Sequence, residues 1–192
     1  MNINKKIDRK LCHTREVFSQ GYRRIDGLYD IESVLTDTKS YSFQKFDGSK
    51  LLSGEPLHKM KICLTIDINL KIHNIHAETK ESPYKICKSA NFKIESLIGE
   101  TISHGWKNKI NSLIGKSNGC THIRELLVSM ATVAFQTIFG EKSRITKDAL
   151  KKGEPDPFPS NQETPNLLNS CYAYDQSSEI TKKIWPSHWL KT

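Results

Sequence analysis

A chain of 192 residues, 36% hydrophobic and 26% charged, has enough apolar material for one core with elaborations and is cramped for two, so a single domain over 1–192 is expected. It contains no run of eighteen apolar residues, and Met1 to Leu11 is polar and basic; together these predict a soluble cytoplasmic protein without a membrane span or secretory leader. The five cysteines, at 12, 63, 87, 120 and 171, are odd in number and scattered, which argues against a secreted disulfide framework. A net charge of +8 favours solubility and weak attraction to anionic partners, but no nucleic-acid module surrounds the lysines.

Residues 1–58 read as an N-terminal strand extension. Leu11 to Phe18 and Tyr22 to Ile25 are short strands with a turn expected at Gly21, and Leu28 to Tyr41 is a long strand with one solvated face. His13 and Arg15, two apart, share a face; they form either an anion-binding pair or, as the preferred reading, a polar sheet surface. Phe43 to Pro56, with Asp47-Gly48 and Ser53-Gly54, is a loop or hairpin connection.

Residues 59–140 form the expected strand pair and helical core. Met60, Ile62, Leu64 and Ile66 alternate with Lys61, Cys63, Thr65 and Asp67, the pattern of a half-buried antiparallel strand that folds back near Asp67 to Asn69. His73 and His76, three apart on the returning strand, face opposite sides and are not a ligand pair. Pro83 ends the pair just before Cys87. Phe92 to Ile98 and Trp106 to Ile114 suggest two helices, the second stopping at Gly115. The strongest helical pattern follows: Ile123, Leu126, Leu127, Met130, Ala134 and Ile138 recur at helical spacing, with Thr121 as the expected N-cap and Gly140 as the expected stop. Cys120 and His122 then sit at the positive end of a helix, which favours a thiolate. The prolines and lysines of 141–165 suggest a mobile insertion, and 166–192 a C-terminal docking segment in which 167–174 is a strand or a docking stretch, followed by a helix near Ser177 to Ile184, with Trp185 and Trp189 as anchors.

The strings HTREVFSQGYRRIDGLYDIESVLTDT, HKMKICLTID, SPYKIC, GCTHIRELLVSMATVAFQT and NSCYAY resemble an uncharacterised bacterial family known only as a domain of unknown function (DUF family 2889), a resemblance that implies no activity. Over about 56–135 the chain also resembles iron–sulfur cluster assembly scaffolds of the IscU/NifU type, in which a Cys follows a strand pair and a Cys beside a His opens a later helix. The alternating strands and the long amphipathic helix themselves predict an α+β fold, an antiparallel sheet with helices packed on one face, to which the resemblance adds a scaffold-like central part with Cys87, Cys120 and His122 as ligands. The loop before the strands lacks a Cys and Cys120 precedes His122 by two, so His58 would supply the fourth donor, a mixed sulfur and nitrogen set that favours zinc over a cluster built on three thiolates; the expected ion is zinc or iron. Asp67 or another carboxylate would orient a ligating histidine.

Three functions are therefore expected in turn: a metal-binding or sulfur-handling accessory protein using Cys87, Cys120, His122 and His58; a thiol-dependent enzyme with Cys120 as nucleophile and His122 or His58 as base; and a non-catalytic binding protein for an anionic partner.

Overall fold

The computed structural model describes residues 7–159 and 167–191, and the chain clusters into two compact units, 1–142 and 143–192. In the first unit the strands β1 (His13–Arg23), β2 (Tyr29–Lys39), β5 (Pro56–Ile66) and β6 (Ile72–Glu81) form one antiparallel sheet in the order β1-β2-β5-β6. Between β2 and β5 the segment anticipated as a loop makes a small hairpin, β3 (Phe43–Gln44) with β4 (Lys50–Leu51), turning at Asp47-Gly48, where Gly48 takes a φ of 83°.

Register follows from alternation. Tyr29, Ile31, Ser33 and Leu35 of β2 stand opposite Ile66, Leu64, Ile62 and Met60 of β5, and all eight are buried on the same face. The even-position row of β5 is thus the core row the sequence indicates. The turn into β6 is built by Asp67, whose Oδ1 accepts from the amides of Asn69 (2.8 Å) and Lys71 (3.1 Å). A register shift between Thr65 and Ile66 then resets the parity, so that β6 buries Ile72 and Ile75.

The covered face packs against two 3-10 turns, Lys85–Ala90 and Phe92–Leu97, and against the helices α1 (Trp106–Ile114) and α2 (Thr121–Lys151). Ile94, Leu97, Ile110 and Ile114 join Ile123, Leu126, Leu127 and Met130 in one cluster. The Trp106 indole donates to Leu127 O at 3.0 Å, satisfying its one polar atom inside the apolar contact between the helices. One stretch of α2 reaches a mean hydropathy of 1.2, long and apolar enough by composition to cross a membrane. Ile123, Leu126, Leu127, Met130, Ala134 and Ile138, however, are packed into this core.

Several expectations change at this level. Gly21 makes no turn; it lies inside β1, where a Cβ would meet Thr137 Oγ1 of α2 at 2.0 Å. The missing side chain is what lets the helix lie against the strand. Arg15 bonds Glu125 at one end and Arg23 Nε lies 3.9 Å from Glu141 Oε2 at the other. Sixteen helical residues advance about 24 Å and eight strand steps about 27 Å, so the two run side by side in the same direction. Gly140 does not end α2, since one glycine costs a helix only about 1 kcal/mol and the helix continues to Lys151. The segment expected to be mobile from 141 therefore opens as helix, while 160–165 lies outside the described residues.

In the second unit, 167–174 is not a strand. Asn169 N donates to Tyr174 O (2.8 Å) and its side chain bonds Gln176, closing a turn that contains the 3-10 segment Tyr172–Tyr174. Ser178 Oγ caps α3 (Glu179–Ile184) by accepting from Thr181 N at 3.0 Å. Tyr174 packs on Trp185 (centroids 5.3 Å apart), and Lys182 Nζ lies 4.7 Å from the centroid of Trp189.

Candidate metal centre

The inward row of β2 continues past Leu35 to Asp37, whose side chain is 1% exposed. A lone carboxylate on that face would be neutral or destabilising. It is instead surrounded by cations and imidazoles from three other elements. Arg15, on the inward face of β1, donates from Nε to Oδ1 (2.7 Å) and from Nη2 to Oδ2 (2.8 Å), a bidentate clamp, and from Nη1 to Glu125 Oε2 of α2 (2.7 Å). His13 Nε2 lies 3.4 Å from Oδ1. His58 of β5, paired directly across from Asp37, brings Nδ1 to 3.2 Å from Oδ2, and His122 from the first turn of α2 brings Nε2 to 3.6 Å from the same oxygen.

His58 Nδ1 is buried, and despite its distance from Asp37 it is not aligned as a hydrogen bond; it has no hydrogen-bond partner. The His58 and His122 rings overlap, with centroids 3.9 Å apart and planes inclined by 33°. Burial pushes the His58 pKa down and the neighbouring His122 adds to that, more than the nearby Asp37 offsets, so the ring is held neutral with a lone pair available. For Asp37 burial acts upward, but the hydrogen bond and charge of Arg15, with His58 and His13, outweigh it and hold the carboxyl below its usual range. The hydrogen bond to Asp37 in turn raises the Arg15 pKa.

Asp37, His58 and His122 offer donor atoms that all lie within 4.8 Å of one another. Around a tetrahedral ion with donors at about 2.1 Å, neighbouring donors stand about 3.4 Å apart; the two nitrogen-to-oxygen separations here are 3.2 and 3.6 Å. Two imidazoles and Asp37 Oδ2, which also accepts from Arg15 Nη2 at 2.8 Å, thus offer three donors to a metal ion.

Cys120 stands immediately outside this group. Arg124 N donates to Cys120 O, so the cysteine rather than Thr121 occupies the capping position of α2. Its Sγ lies 3.8 Å from His122 Nδ1, the ring nitrogen opposite the one facing Asp37. The thiol is half-buried, which raises its pKa, but the contact with His122 and the amides of Ile123 and His122 prevail, leaving it lowered. Because His122 faces Asp37 with Nε2 and Cys120 with Nδ1, the sulfur is placed to orient the ring.

Of the four ligands expected from the sequence, the structure thus gathers His58, His122 and Cys120 at one place, with Cys120 on the outer nitrogen. Cys87 lies in the turn Lys85–Ala90 and makes no hydrogen bond or ion pair with the group. Asp67 serves its own hairpin and His73 (2.9 Å), not a ligating histidine. His13 and Arg15 are not a plain polar surface; both turn onto Asp37. Asp37 itself was missed, and its signal was the odd-position row of β2, which carries Tyr29, Ile31, Ser33 and Leu35 inward and Asp37 with them.

A family model described as protein of unknown function (DUF2889) matches residues 13–136 and therefore spans every residue of this centre. No curated protein and no solved structure matches the chain, so the likeness to iron–sulfur scaffolds gains no support from either comparison.

Proposed function

We propose, from the premise that the chain belongs to the DUF2889 family of proteins of unknown function, that it is a metal-binding protein whose Asp37, His58 and His122 hold one zinc or ferrous ion. The observation that carries this reading is the buried His58 Nδ1, an imidazole nitrogen without a hydrogen-bond partner beside an ionised carboxylate oxygen and a second imidazole. A buried nitrogen in that position loses its hydration for nothing unless a cation or proton takes its lone pair, and the depressed pKa disfavours the proton. Three protein donors leave a coordination position open, the arrangement of sites that engage a further molecule rather than only brace a fold. Elemental analysis of protein purified without a polyhistidine tag tests it. Close to one zinc or iron per chain is expected, lost in Asp37→Asn; a folded preparation that holds no metal and takes up neither ion on dialysis overturns it.

One observation favours a second reading, a thiol-dependent enzyme. Cys120, His122 and Asp37 are aligned in series, at 3.8 and 3.6 Å, with the sulfur at a helix N-terminus and its pKa lowered. In this reading His122 takes the thiol proton and Asp37 fixes the ring. Alkylation of metal-free protein by iodoacetamide separates the two: rapid, Cys120-dependent modification below the pH at which ordinary thiols react supports the enzyme reading, and reactivity no greater than that of exposed Cys12 or Cys171 removes it.

A further inference from the structure

Beside the metal centre a cleft of about 640 Å³ opens between the two helices of the first unit. Lys107 and Asn111 of α1 form one wall, Lys116 of the connecting loop forms the end, and Arg124, Glu125 and Val128 of α2 form the other wall. Three cations face one acid, and that acid is already engaged, since Glu125 Oε2 accepts from Arg15 at 2.7 Å. Among the described residues no carboxylate pairs with Lys107, Lys116 or Arg124, whereas Lys109, two residues along the same helix, reaches Glu100 at 3.0 Å. The Nε of Arg124 is buried and has no acceptor. A guanidinium donor withdrawn from water without an acceptor is costly, and two lysines lining the same cleft add positive charge to it. An anion in the cleft removes both penalties at once.

We propose that this cleft binds the oxyanion group, phosphate or carboxylate, of a small organic molecule, with Arg124, Lys107 and Lys116 as its charge partners and Asn111 as an added donor. The volume falls within the roughly 300 to 1,000 Å³ of small-molecule sites and exceeds what a bare inorganic ion fills. Val128 gives the remainder of the molecule an apolar surface, and Glu125, which belongs to both the cleft wall and the Arg15 clamp, makes the two sites neighbours. The proposal does not depend on a metal at Asp37.

Calorimetric titration of the full chain, stripped with a chelator, with inorganic phosphate and separately with succinate tests it. Saturable one-to-one binding of either is expected, weakening as salt rises; the tighter of the two identifies the phosphate or carboxylate class. Arg124→Gln and the double variant Lys107→Gln/Lys116→Gln each lower the affinity about tenfold, while Lys80→Gln on β6 leaves it unchanged. Both cleft lysines are solvent-exposed, so the double variant folds even if Arg124→Gln does not. Failure of both anions to saturate below about 10 mM, or wild-type affinity in the double variant, overturns the proposal.

Discussion

Among the described residues two aspartates, Asp37 and Asp67, lie beside histidines, and their surroundings differ in almost every other respect. Asp67 sits at the tip of the β5–β6 hairpin, with its carboxylate bonded to two backbone amides and its histidine, His73, on the surface. Asp37 sits on the inward row of a central strand, sealed from water, and has drawn in one arginine and three histidines. The first pair shapes a turn and stays solvated. The second exists only because sheet and helix bring residues from four elements together, and that convergence separates a candidate site from a surface ion pair.

The contrast is tested first by removing each carboxylate. Asp37→Asn removes the buried one of Arg15's two carboxylate partners, and the expected loss is about 3 kcal/mol, the low end for a broken buried pair, because Arg15 is 36% exposed and keeps Glu125. Denaturant unfolding of the metal-free protein measures it. Next, His58→Ala should weaken zinc binding at least a hundredfold in a competition titration, while His73→Ala leaves it unchanged; equal effects would dissolve the distinction between the two pairs. Cys120→Ser should weaken the metal by roughly ten- to a hundredfold, as the loss of a group that orients a ligand does, and Cys87→Ser should not.

A smaller effect is expected from pH. The His58 pKa lies below its ordinary 6.5 in the folded protein, so under acid conditions the unfolded chain binds the proton first. Its contribution to stability is complete above pH 6.5 and is lost as pH falls through the folded value; Asp37, lowered from 3.8, adds a second loss in the same direction further down. Stability of the metal-free protein measured against pH should decline below 6.5, and His58→Ala should remove the upper part of that decline. Smallest of all, Asp67→Asn should cost no more than about 1 kcal/mol, because its bonds are exposed to water.

The sheet and helices were legible because each carries its own period. The even row of β5 and the spacing of Ile123, Leu126, Leu127, Met130, Ala134 and Ile138 are local patterns, and burial bears both out. What was not legible depends on pairing between distant segments. Gly21 looks like a turn until Thr137 is seen against it, and His13 and Arg15 look solvated until Asp37 is placed across the ladder. Cysteines stand out in the sequence as soft donors, yet the buried aspartate gathers the candidate centre, and a single acid in a polar-looking string such as Thr36-Asp37-Thr38 announces nothing without the inward parity of its strand. Gly140 shows the converse, a local stop signal overridden by a helix that packs into the core up to Ile138 and continues to Lys151.

The arrangement of donors is tested most directly by X-ray absorption on the zinc-loaded protein. Nitrogen and oxygen neighbours alone at roughly 2.0 to 2.2 Å are expected, with a Cys120→Ser spectrum of the same shell. A sulfur neighbour at about 2.3 Å that disappears in Cys120→Ser would contradict the account, because it would put the thiol on the ion instead of on the far nitrogen of His122.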